Sequence, residues 1–260
     1  MSDGAALGGR DPTVEGLFNL RDVGGIPASG GRRIRSGVLY RSEAPVSISE
    51  EALVGLGKLR LRAVVDLRDP EEDGYMEATV PSGLVRLRAP VTPPVSLSGH
   101  GVLQQVAAGN LRSFTAEDLG AMYVAFLGSC APAFGAAIGL CAREEHLPCL
   151  IHCAAGKDRT GLAVALMLVA IGACREAVLD DYELTARAPM PRHLAIEEIL
   201  DGADVEEGAL TALFSAPRPA LSTALDHLEA RYGSIPEYLR GPAGLTEREL
   251  DRLSELLVED

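Results

Sequence analysis

Short apolar runs and longer helical repeats alternate along the first two thirds of the chain. Compact runs rich in β-branched and apolar residues predict strands at 30–42, 61–67, 84–87 and 149–152. Apolar residues at helical spacing predict helices over 47–59, 116–145, 160–172, 175–187, 191–199, 220–231 and 246–258. Strands that alternate with helices, followed by helices alone, predict an α/β fold in which helices surround a small, largely parallel central sheet.

Three local signals refine these elements. Ser47 lies three residues before Glu50, which is the spacing of a capping box and predicts the start of the first helix. Pro132 is expected to kink or divide the apolar segment 116–145, because a proline inside a helix removes a hydrogen bond. Residues 92–115 are rich in Pro, Ser and Gly and longer than an ordinary loop, which is typical of a lid or a disordered insertion.

Length and composition predict one domain. Of the 260 residues 47% are hydrophobic and 23% charged, which excludes a disordered chain. We expect a flexible N-terminus over 1–15 and a single domain over 16–260, with a lid or insertion at about 92–115. The charge-free stretch 119–142 has about the length of a bilayer span, but Ser129 and Pro132 interrupt it, so it is interpreted as buried helix in two pieces.

Charge and cysteine content restrict the classes of partner and ligand that we expect for this chain. The net charge of −13 disfavours nucleic acid and stable membrane insertion as partners, although Arg32, Arg33 and Arg35 could engage an anionic surface locally. The five cysteines are odd in number and include no Cys-x-x-Cys pair, so we expect neither a metal site nor a disulfide framework. Without a visible signal peptide the expected location is cytoplasmic by default, which still allows export without such a signal.

The chemistry is concentrated in residues 151–161, with the sequence IHCAAGKDRTG, between a predicted strand and a predicted helix. The backbone amides of such a loop can surround an anion, and the following helix adds its positive end. Gly156 allows a positive φ or a close backbone approach, and Arg159 offers a planar fork for two phosphate oxygens. These groups favour the thiolate of Cys153, which is placed for in-line attack on a bound phosphorus.

We predict supporting roles for the other loop residues. Thr160 is expected to hydrogen-bond the sulfur and help it leave, and His152 to orient the loop rather than transfer protons. The residues predicted to bind the substrate phosphate are Ala154, Ala155, Gly156, Lys157 and Thr160.

Two aspartates are candidates for the general acid. Asp158 is the first, with a loop brace as the alternative role. Asp66 is the second because it ends a buried strand, where α/β sheets place active sites, with a salt bridge to Arg68 or Arg21 as the alternative. Three further residues, Arg21, Asp22 and Arg41, are expected to build the wall of the site.

The loop resembles the signature of the cysteine-dependent protein tyrosine phosphatase superfamily. It is most similar to the atypical bacterial branch that includes mycobacterial tyrosine phosphatase B and bacterial lipid phosphatases. Weaker motifs extend the resemblance from about 16 to 257: NLRDVGG at 19–25, LYRS at 39–42, VDLR at 65–68 and segments between 232 and 246.

The resemblance implies a tyrosine-phosphatase-like fold and hydrolysis of phosphomonoesters through a phosphocysteine intermediate, without a metal or cofactor. It implies phosphotyrosine as substrate, with phosphoserine, phosphothreonine and phosphoinositides as further candidates, and a helical lid that maps onto 92–115. Lys157 resembles the extra basic residues of phosphoinositide phosphatase loops, and Asp158 resembles the proposed acid of myotubularin lipid phosphatases.

Other functions stay open at this point. The partner is expected to be a phosphorylated protein or a phosphoinositide, and a phosphoinositide-preferring lipid phosphatase is the first alternative. An inactive phosphate-binding pseudophosphatase belongs to a different class, as does another thiol enzyme such as a sulfurtransferase or arsenate reductase. The sequence does not define the oligomeric state.

Overall fold

The computed structural model describes residues 14–69, 77–92, 99–188 and 210–260. The strands are β1 Arg21–Asp22, β2 Arg33–Ile34, β3 Leu39–Ser42, β4 Ala63–Asp66, β5 Val85–Arg88, β6 Cys149–His152 and β7 Val258–Glu259. The α-helices of the described ranges are α1 Glu50–Lys58, α2 Gly99–Ala107, α3 Ala116–Ser129, α4 Ala131–Cys141, α5 Asp158–Ala170, α6 Arg175–Glu183, α7 Thr211–Phe214, α8 Arg218–Tyr232, α9 Ile235–Arg240 and α10 Glu247–Leu257.

A five-stranded sheet in the order β1-β3-β6-β4-β5 forms the centre of the molecule. Strands β3, β6, β4 and β5 are parallel, and only the edge strand β1 runs antiparallel to its neighbour. The carboxyl ends of the parallel strands therefore meet at one edge, where Ser42 and Asp66 both lie opposite His152. This arrangement confirms the predicted α/β class with a small, largely parallel sheet.

Both faces of the sheet are covered. Along β6, Cys149 and Ile151 join the larger apolar cluster, whereas Leu150 points to a smaller one that contains α1 residues such as Leu56. This alternation is the period of two expected of a strand with two buried faces. Helix α5 is buried from Thr160 through 168, so the segment after the loop is anchored in the core.

The apolar segment 116–145 folds as two helices, as expected. Helix α3 ends at Ser129, and Pro132 lies in the first turn of α4, where its missing N–H costs no helical hydrogen bond. In the described part of the chain no single helix is long and apolar enough to cross a membrane. Helices α3 and α4 taken together have the length and apolar composition of a membrane-spanning segment, but the pair is bent by 77°.

Several local predictions need correction. The run 30–42 forms two strands, because β2 pairs with the C-terminal β7 in a separate sheet. Helix α1 is capped by Ser49, which accepts from Ala52, rather than by Ser47. The short helices α7 and α9 were not predicted, and the predicted helix 191–199 and most of the segment 1–15 lie outside the described residues.

The predicted lid segment 92–115 contains helix α2, and its residues 93–98 lie outside the described ranges. Val102 and Val106 of this helix are buried in the larger cluster, together with Phe114. A closing lid at this position therefore stays a prediction, as does the single domain over 16–260.

Candidate active site

The loop begins directly after β6, the middle strand of the five-stranded sheet, which has a parallel neighbour on each side. Cys153 follows His152 at the carboxyl edge of the sheet, and α5 begins five residues later at Asp158. Cys153 is buried, with only 2% of its surface exposed, while Arg159 is half-buried. The topology thus places the predicted nucleophile where parallel α/β sheets hold their active sites.

The carbonyl groups of the loop are held from outside. The Ala154 carbonyl accepts from the Ala44 amide at 3.0 Å, and the Ala155 carbonyl accepts from Asn19 Nδ2 at 3.0 Å. The Gly156 carbonyl accepts from Arg41 Nη2 at 2.9 Å. Each peptide is therefore turned with its oxygen away from the centre of the loop.

The amides of the loop are available to a ligand. The N–H groups of residues 154–157 donate to no acceptor in the part of the chain that the structure describes. They lie just before the first turn of α5, whose amides have no intrahelical partner and whose dipole favours negative charge. With the Arg159 side chain from the same turn, this forms a site for a tetrahedral anion directly beside Cys153.

Gly156 is required by the loop geometry. Its φ is +67°, and a Cβ atom there would lie 2.3 Å from the Ser42 carbonyl oxygen. The loop can pass this close to the end of β3 only because the residue has no side chain. The same close approach brings Gly156 to Arg41, which is on β3.

A buried ion cluster lies behind the loop. Asp181 of α6 accepts from Arg21 Nε at 2.9 Å and from Arg41 Nη1 at 2.8 Å. Burial opposes ionisation of Asp181, but the two guanidinium groups outweigh it and lower its pKa. Burial and the charge of Arg21 lower the pKa of Arg41 to about 10, which leaves it charged at neutral pH. Arg21 and Arg41 therefore support the loop from below, which is compatible with the predicted wall.

His152 and Asp66 lie beside this support. Burial lowers the pKa of His152 to about 4, so its ring is neutral at pH 7, and its Nδ1 is 3.3 Å from the Cys153 carbonyl oxygen. Asp66 forms an ion pair with Arg68 at 2.7 Å. Burial opposes ionisation of Asp66, but the hydrogen bonds from Arg68 outweigh it and hold its pKa at about 2. These surroundings favour an orienting role for His152 and the salt-bridge role for Asp66.

Asp158 is surrounded by hydroxyl and ammonium groups. Its Oδ1 accepts from the Tyr123 hydroxyl at 2.6 Å, and Lys157 Nζ lies 3.4 Å away. The Tyr123 oxygen is in turn 2.7 Å from the Tyr182 hydroxyl. The Asp158 side chain is 26% exposed and lies in the first turn of α5, beside the loop.

The Lys157 ammonium is turned toward the chain rather than toward solvent. Its Nζ donates to the carbonyl oxygens of Ala212, Leu213 and Ser215 at 3.2, 2.7 and 2.8 Å. The residue is 4% exposed. In this structure the side chain ties the loop to the carboxyl end of α7, and its predicted contact with a substrate phosphate would require these bonds to break.

Two other predicted residues occupy contrasting positions. The Thr160 hydroxyl is buried and has no hydrogen-bond partner within the described ranges, so it can serve a ligand or the sulfur. Asp22 accepts from the Gly24 and Gly37 amides at 2.8 and 2.6 Å. Gly37 precedes β3, whereas the loop lies at the opposite end of that strand, so Asp22 braces a turn away from the site.

The sequence did not single out several residues that organise the site, namely Asn19, Glu43, Tyr123, Asp181 and Tyr182. Asn19 lies in the NLRDVGG motif, which offered a signal for it. Tyr123 and Asp181 lie on helices far from the loop in sequence, and their local patterns resemble those of ordinary core and surface positions. No group of three or more metal-ligating side chains occurs among the residues that the structure describes.

A cysteine beside an amide-lined anion site, at the carboxyl edge of a parallel sheet, is the arrangement of a thiol-based enzyme acting on an anionic substrate. A model of the tyrosine phosphatase family matches residues 12–259. A Cupriavidus necator protein described as a tyrosine-protein phosphatase is 32% identical over 240 residues, which cover 91% of this chain and 85% of the relative. The chain therefore belongs to the tyrosine phosphatase family, which confirms the expected family and class of enzyme.

Two further similarities are more limited. The triple specificity protein phosphatase PtpB of Mycobacterium tuberculosis is 33% identical over 122 residues, covering 43% of this chain and 44% of the relative. Among solved structures, the core catalytic domain of the PP-IP phosphatase SIW14 from S. cerevisiae in complex with citrate is 20% identical, with a TM-score of 0.36. It covers 69% of this chain and 88% of that chain.

Proposed function

We propose that this phosphatase hydrolyses phosphotyrosine in proteins through a phosphocysteine intermediate on Cys153. One observation carries the proposal: the carbonyls of Ala154, Ala155 and Gly156 are each held from outside, while the amides of 154–157 have no acceptor within the described chain. An anion bound by those amides lies directly beside the sulfur. Arg159 adds a bidentate contact to two of its oxygens.

In the first step the Cys153 thiolate attacks phosphorus in line with the departing oxygen. The S–P bond forms as the bond between phosphorus and the tyrosine oxygen breaks. Asp158 gives its proton to the leaving phenolic oxygen, which departs as a neutral hydroxyl. The loop amides and Arg159 stabilise the charge on the three remaining oxygens during the transfer.

In the second step a water molecule attacks the phosphocysteine. Asp158, now ionised, takes a proton from that water as the new P–O bond forms and the S–P bond breaks. The sulfur leaves as a thiolate, which the unpartnered Thr160 hydroxyl can stabilise by donating a hydrogen bond. Inorganic phosphate and the starting form of the enzyme result.

Two observations support phosphotyrosine over phosphoinositides. Cys153 is 2% exposed, so a phosphate must approach a buried sulfur, which favours an ester carried at the end of a long, flat side chain. Lys157, the residue proposed to read a second phosphate, is occupied by three carbonyl oxygens. The relatives named as tyrosine-protein phosphatase and triple specificity protein phosphatase support protein substrates, with phosphoserine and phosphothreonine as secondary ones.

The test is phosphate release in EDTA from phosphotyrosine, phosphoserine and phosphothreonine peptides and from short-chain phosphoinositides. We expect the phosphotyrosine peptides to give the highest kcat/KM. The Cys153→Ser protein is the control, because it removes the nucleophile and leaves the loop amides in place. It should show no turnover but retain detectable binding of a phosphate ester.

The outcomes separate the alternatives. Turnover by Cys153→Ser at the wild-type rate would contradict the thiol mechanism. Faster release from phosphoinositides would favour the lipid phosphatase and give Lys157 a role in reading a second phosphate. Binding without any release by the wild-type protein would favour the pseudophosphatase.

A further inference from the structure

Two buried tyrosines connect Asp158 to the helices behind the loop. Tyr123 of α3 is fully buried, and its hydroxyl is 2.6 Å from Asp158 Oδ1. Tyr182 of α6 is 1% exposed, and its hydroxyl is 2.7 Å from that of Tyr123. The two rings meet edge to face, with centroids 6.3 Å apart and an interplanar angle of 81°. The pair is therefore held by ring packing as well as by hydrogen bonds.

The direction of the hydrogen bonds follows from counting hydrogens. Asp158 Oδ1 can only accept, so Tyr123 gives its single hydrogen to it. Tyr182 must then donate to the Tyr123 oxygen. Burial, reinforced by the Asp158 charge, raises the pKa of both tyrosines, so both hydroxyls keep their hydrogens throughout the working pH range.

The two oxygens of Asp158 are consequently unequal. Oδ1 is held by Tyr123 and lies near Lys157 Nζ, whereas Oδ2 makes no hydrogen bond with the described residues. A carboxylic acid can accept at one oxygen while it carries its proton on the other. The arrangement therefore leaves Oδ2 of this partly exposed side chain as the oxygen that can carry and release a proton.

We propose that Tyr123 and Tyr182 are positioning residues that hold Asp158 by Oδ1 and present Oδ2 to the leaving-group oxygen. This inference rests on the proposed function, because it assigns a role within the same phosphoryl transfer. The step itself is unchanged: the proton on Oδ2 passes to the leaving oxygen as its bond to phosphorus breaks, and Oδ2 recovers a proton from the attacking water.

The position of Tyr182 strengthens the link to the loop. Its ring lies against α5, so close that a Cβ atom on Gly161 would be 3.0 Å from Tyr182 Cδ2. The preceding residue, Asp181, holds Arg41, whose Nη2 donates to the Gly156 carbonyl. Two successive residues of α6 thus fix the anion-binding backbone and the proton donor in one geometry.

The variant that tests this proposal is Tyr123→Phe, which removes the hydroxyl and keeps the buried ring. The readout is the ratio of kcat/KM for phenyl phosphate, a poor leaving group, to kcat/KM for p-nitrophenyl phosphate, which needs little protonation. The ratio uses kcat/KM because this constant reports formation of the phosphocysteine and not its hydrolysis, a step that both substrates share. General acid catalysis contributes about 10²–10⁴-fold, so loss of its positioning should lower the ratio by about tenfold. Tyr182→Phe should lower the ratio less, because it removes only the second hydrogen bond.

The matched control is Tyr238→Phe. Tyr238 is also fully buried, and its hydroxyl donates to the Leu127 carbonyl at 2.9 Å, away from Asp158. It should leave the ratio at the wild-type value while having a similar effect on the melting temperature. The double variant Tyr123→Phe, Asp158→Asn should show the ratio of Asp158→Asn alone, because the tyrosine acts through the aspartate.

The outcomes distinguish the two proposals. A wild-type ratio in both Tyr123→Phe and Tyr182→Phe would overturn the positioning role while the phosphatase activity stands. A lower ratio in Tyr123→Phe, together with a double variant whose ratio falls below that of Asp158→Asn alone, would also overturn it, because the tyrosine would then act independently of Asp158. Absence of wild-type turnover on both aryl phosphates would overturn the proposed function itself.

Discussion

Glu43 lies where β3 leaves the sheet, beside the anion-binding loop. Its Oε1 accepts from the Phe18 amide at 2.9 Å, and its Oε2 is buried without a hydrogen-bond partner in the described chain. Burial, opposed only in part by the Phe18 hydrogen bond, raises the pKa of Glu43 to about 7. Its backbone nitrogen lies 2.7 Å from the position of a Cβ atom on Gly156, so the backbone of Glu43 adjoins the loop.

The raised pKa of Glu43 predicts a pH-dependent stability. The folded protein holds the Glu43 proton more tightly than the unfolded chain, so the resulting stability is present below about pH 4.5 and is lost as the pH rises through about 7. The full difference is on the order of 3 kcal/mol. Glu43→Gln keeps the acceptor for Phe18 and cannot ionise, so its free energy of unfolding should fall less between pH 5 and 8. Denaturant unfolding at several pH values measures this, and parallel curves for both proteins would contradict it.

At the same scale, the sequence identified the residues whose roles depend on local spacing. Cys153, Gly156 and Arg159 are set by a contiguous strand, loop and helix, and the motif alone predicted where they lie. Tyr123 is 35 residues from Asp158 in sequence, and no local pattern indicates that a core tyrosine reaches the loop. Lys157 lies within the motif, but the sequence did not indicate what it contacts, because its three carbonyl partners come from residues 212–215.

Helix α6 carries the charge that connects three elements. Asp181 binds Arg21 of β1 and Arg41 of β3, and Arg41 also donates to the loop. The Arg21 Nη2 atom donates in addition to the Asp181 carbonyl and to Thr185 Oγ1. Because two buried cations share one carboxylate, the position of α6 and the backbone of the loop depend on the same group.

Asp181→Asn is therefore expected to destabilise the protein strongly. Removing one partner of a buried ion pair costs about 3–5 kcal/mol, because it leaves the other charge uncompensated. The adjacent Asp180→Asn is the matched control, since Asp180 is exposed in its pairing with Arg218 and such surface pairs contribute about 0–1 kcal/mol. Thermal and denaturant unfolding measure both. Equal small losses for the two variants would show that the Asp181 cluster does not stabilise the fold.

Elements were predictable where their own pattern defines them. The buried runs of β4 and β6 and the apolar repeat of α5 appear in the sequence because each is packed against the core. β2 and β7 have two residues each and pair with one another, Arg33 opposite Glu259 and Ile34 opposite Val258, although more than 200 residues separate them in sequence. Such pairing leaves no local period to detect.

At the scale of the whole molecule, a chain of net charge −13 carries its proposed anion site at the loop that begins with Cys153. The positive character is local: it comes from loop amides, the start of α5 and Arg159. The arginines of the predicted basic patch are used elsewhere, because Arg33 and Arg35 lie 3.3 and 3.6 Å from Glu259 carboxylate oxygens. Arg32 and Arg35 line a surface depression together with Asp251, Glu255 and Asp260, so the surface of this depression carries both signs of charge.

This balance predicts weak attraction to anionic membranes. Each Lys or Arg near such a surface contributes about 1 kcal/mol, and stable adsorption takes a cluster of roughly four to eight of them. Here two of the three candidate arginines are paired with Glu259. The net negative charge of the chain as a whole is repelled by an anionic membrane. We expect no sedimentation with phosphatidylserine vesicles at about 0.15 M salt, where charges beyond about 8 Å are screened.

The same balance makes a prediction for catalysis. A phosphoinositide headgroup on a soluble short-chain lipid reaches the anion-binding loop without bringing the acidic surface to a membrane, so its hydrolysis should exceed that of the same headgroup in anionic vesicles. Glu259→Gln frees Arg33 and Arg35 from their partner and should narrow this difference, whereas Glu237→Gln, which acts on an exposed pair with Arg240, should not. Equal rates on both lipid forms with the wild-type protein would contradict the argument, because repulsion by the whole molecule would then be too weak to matter.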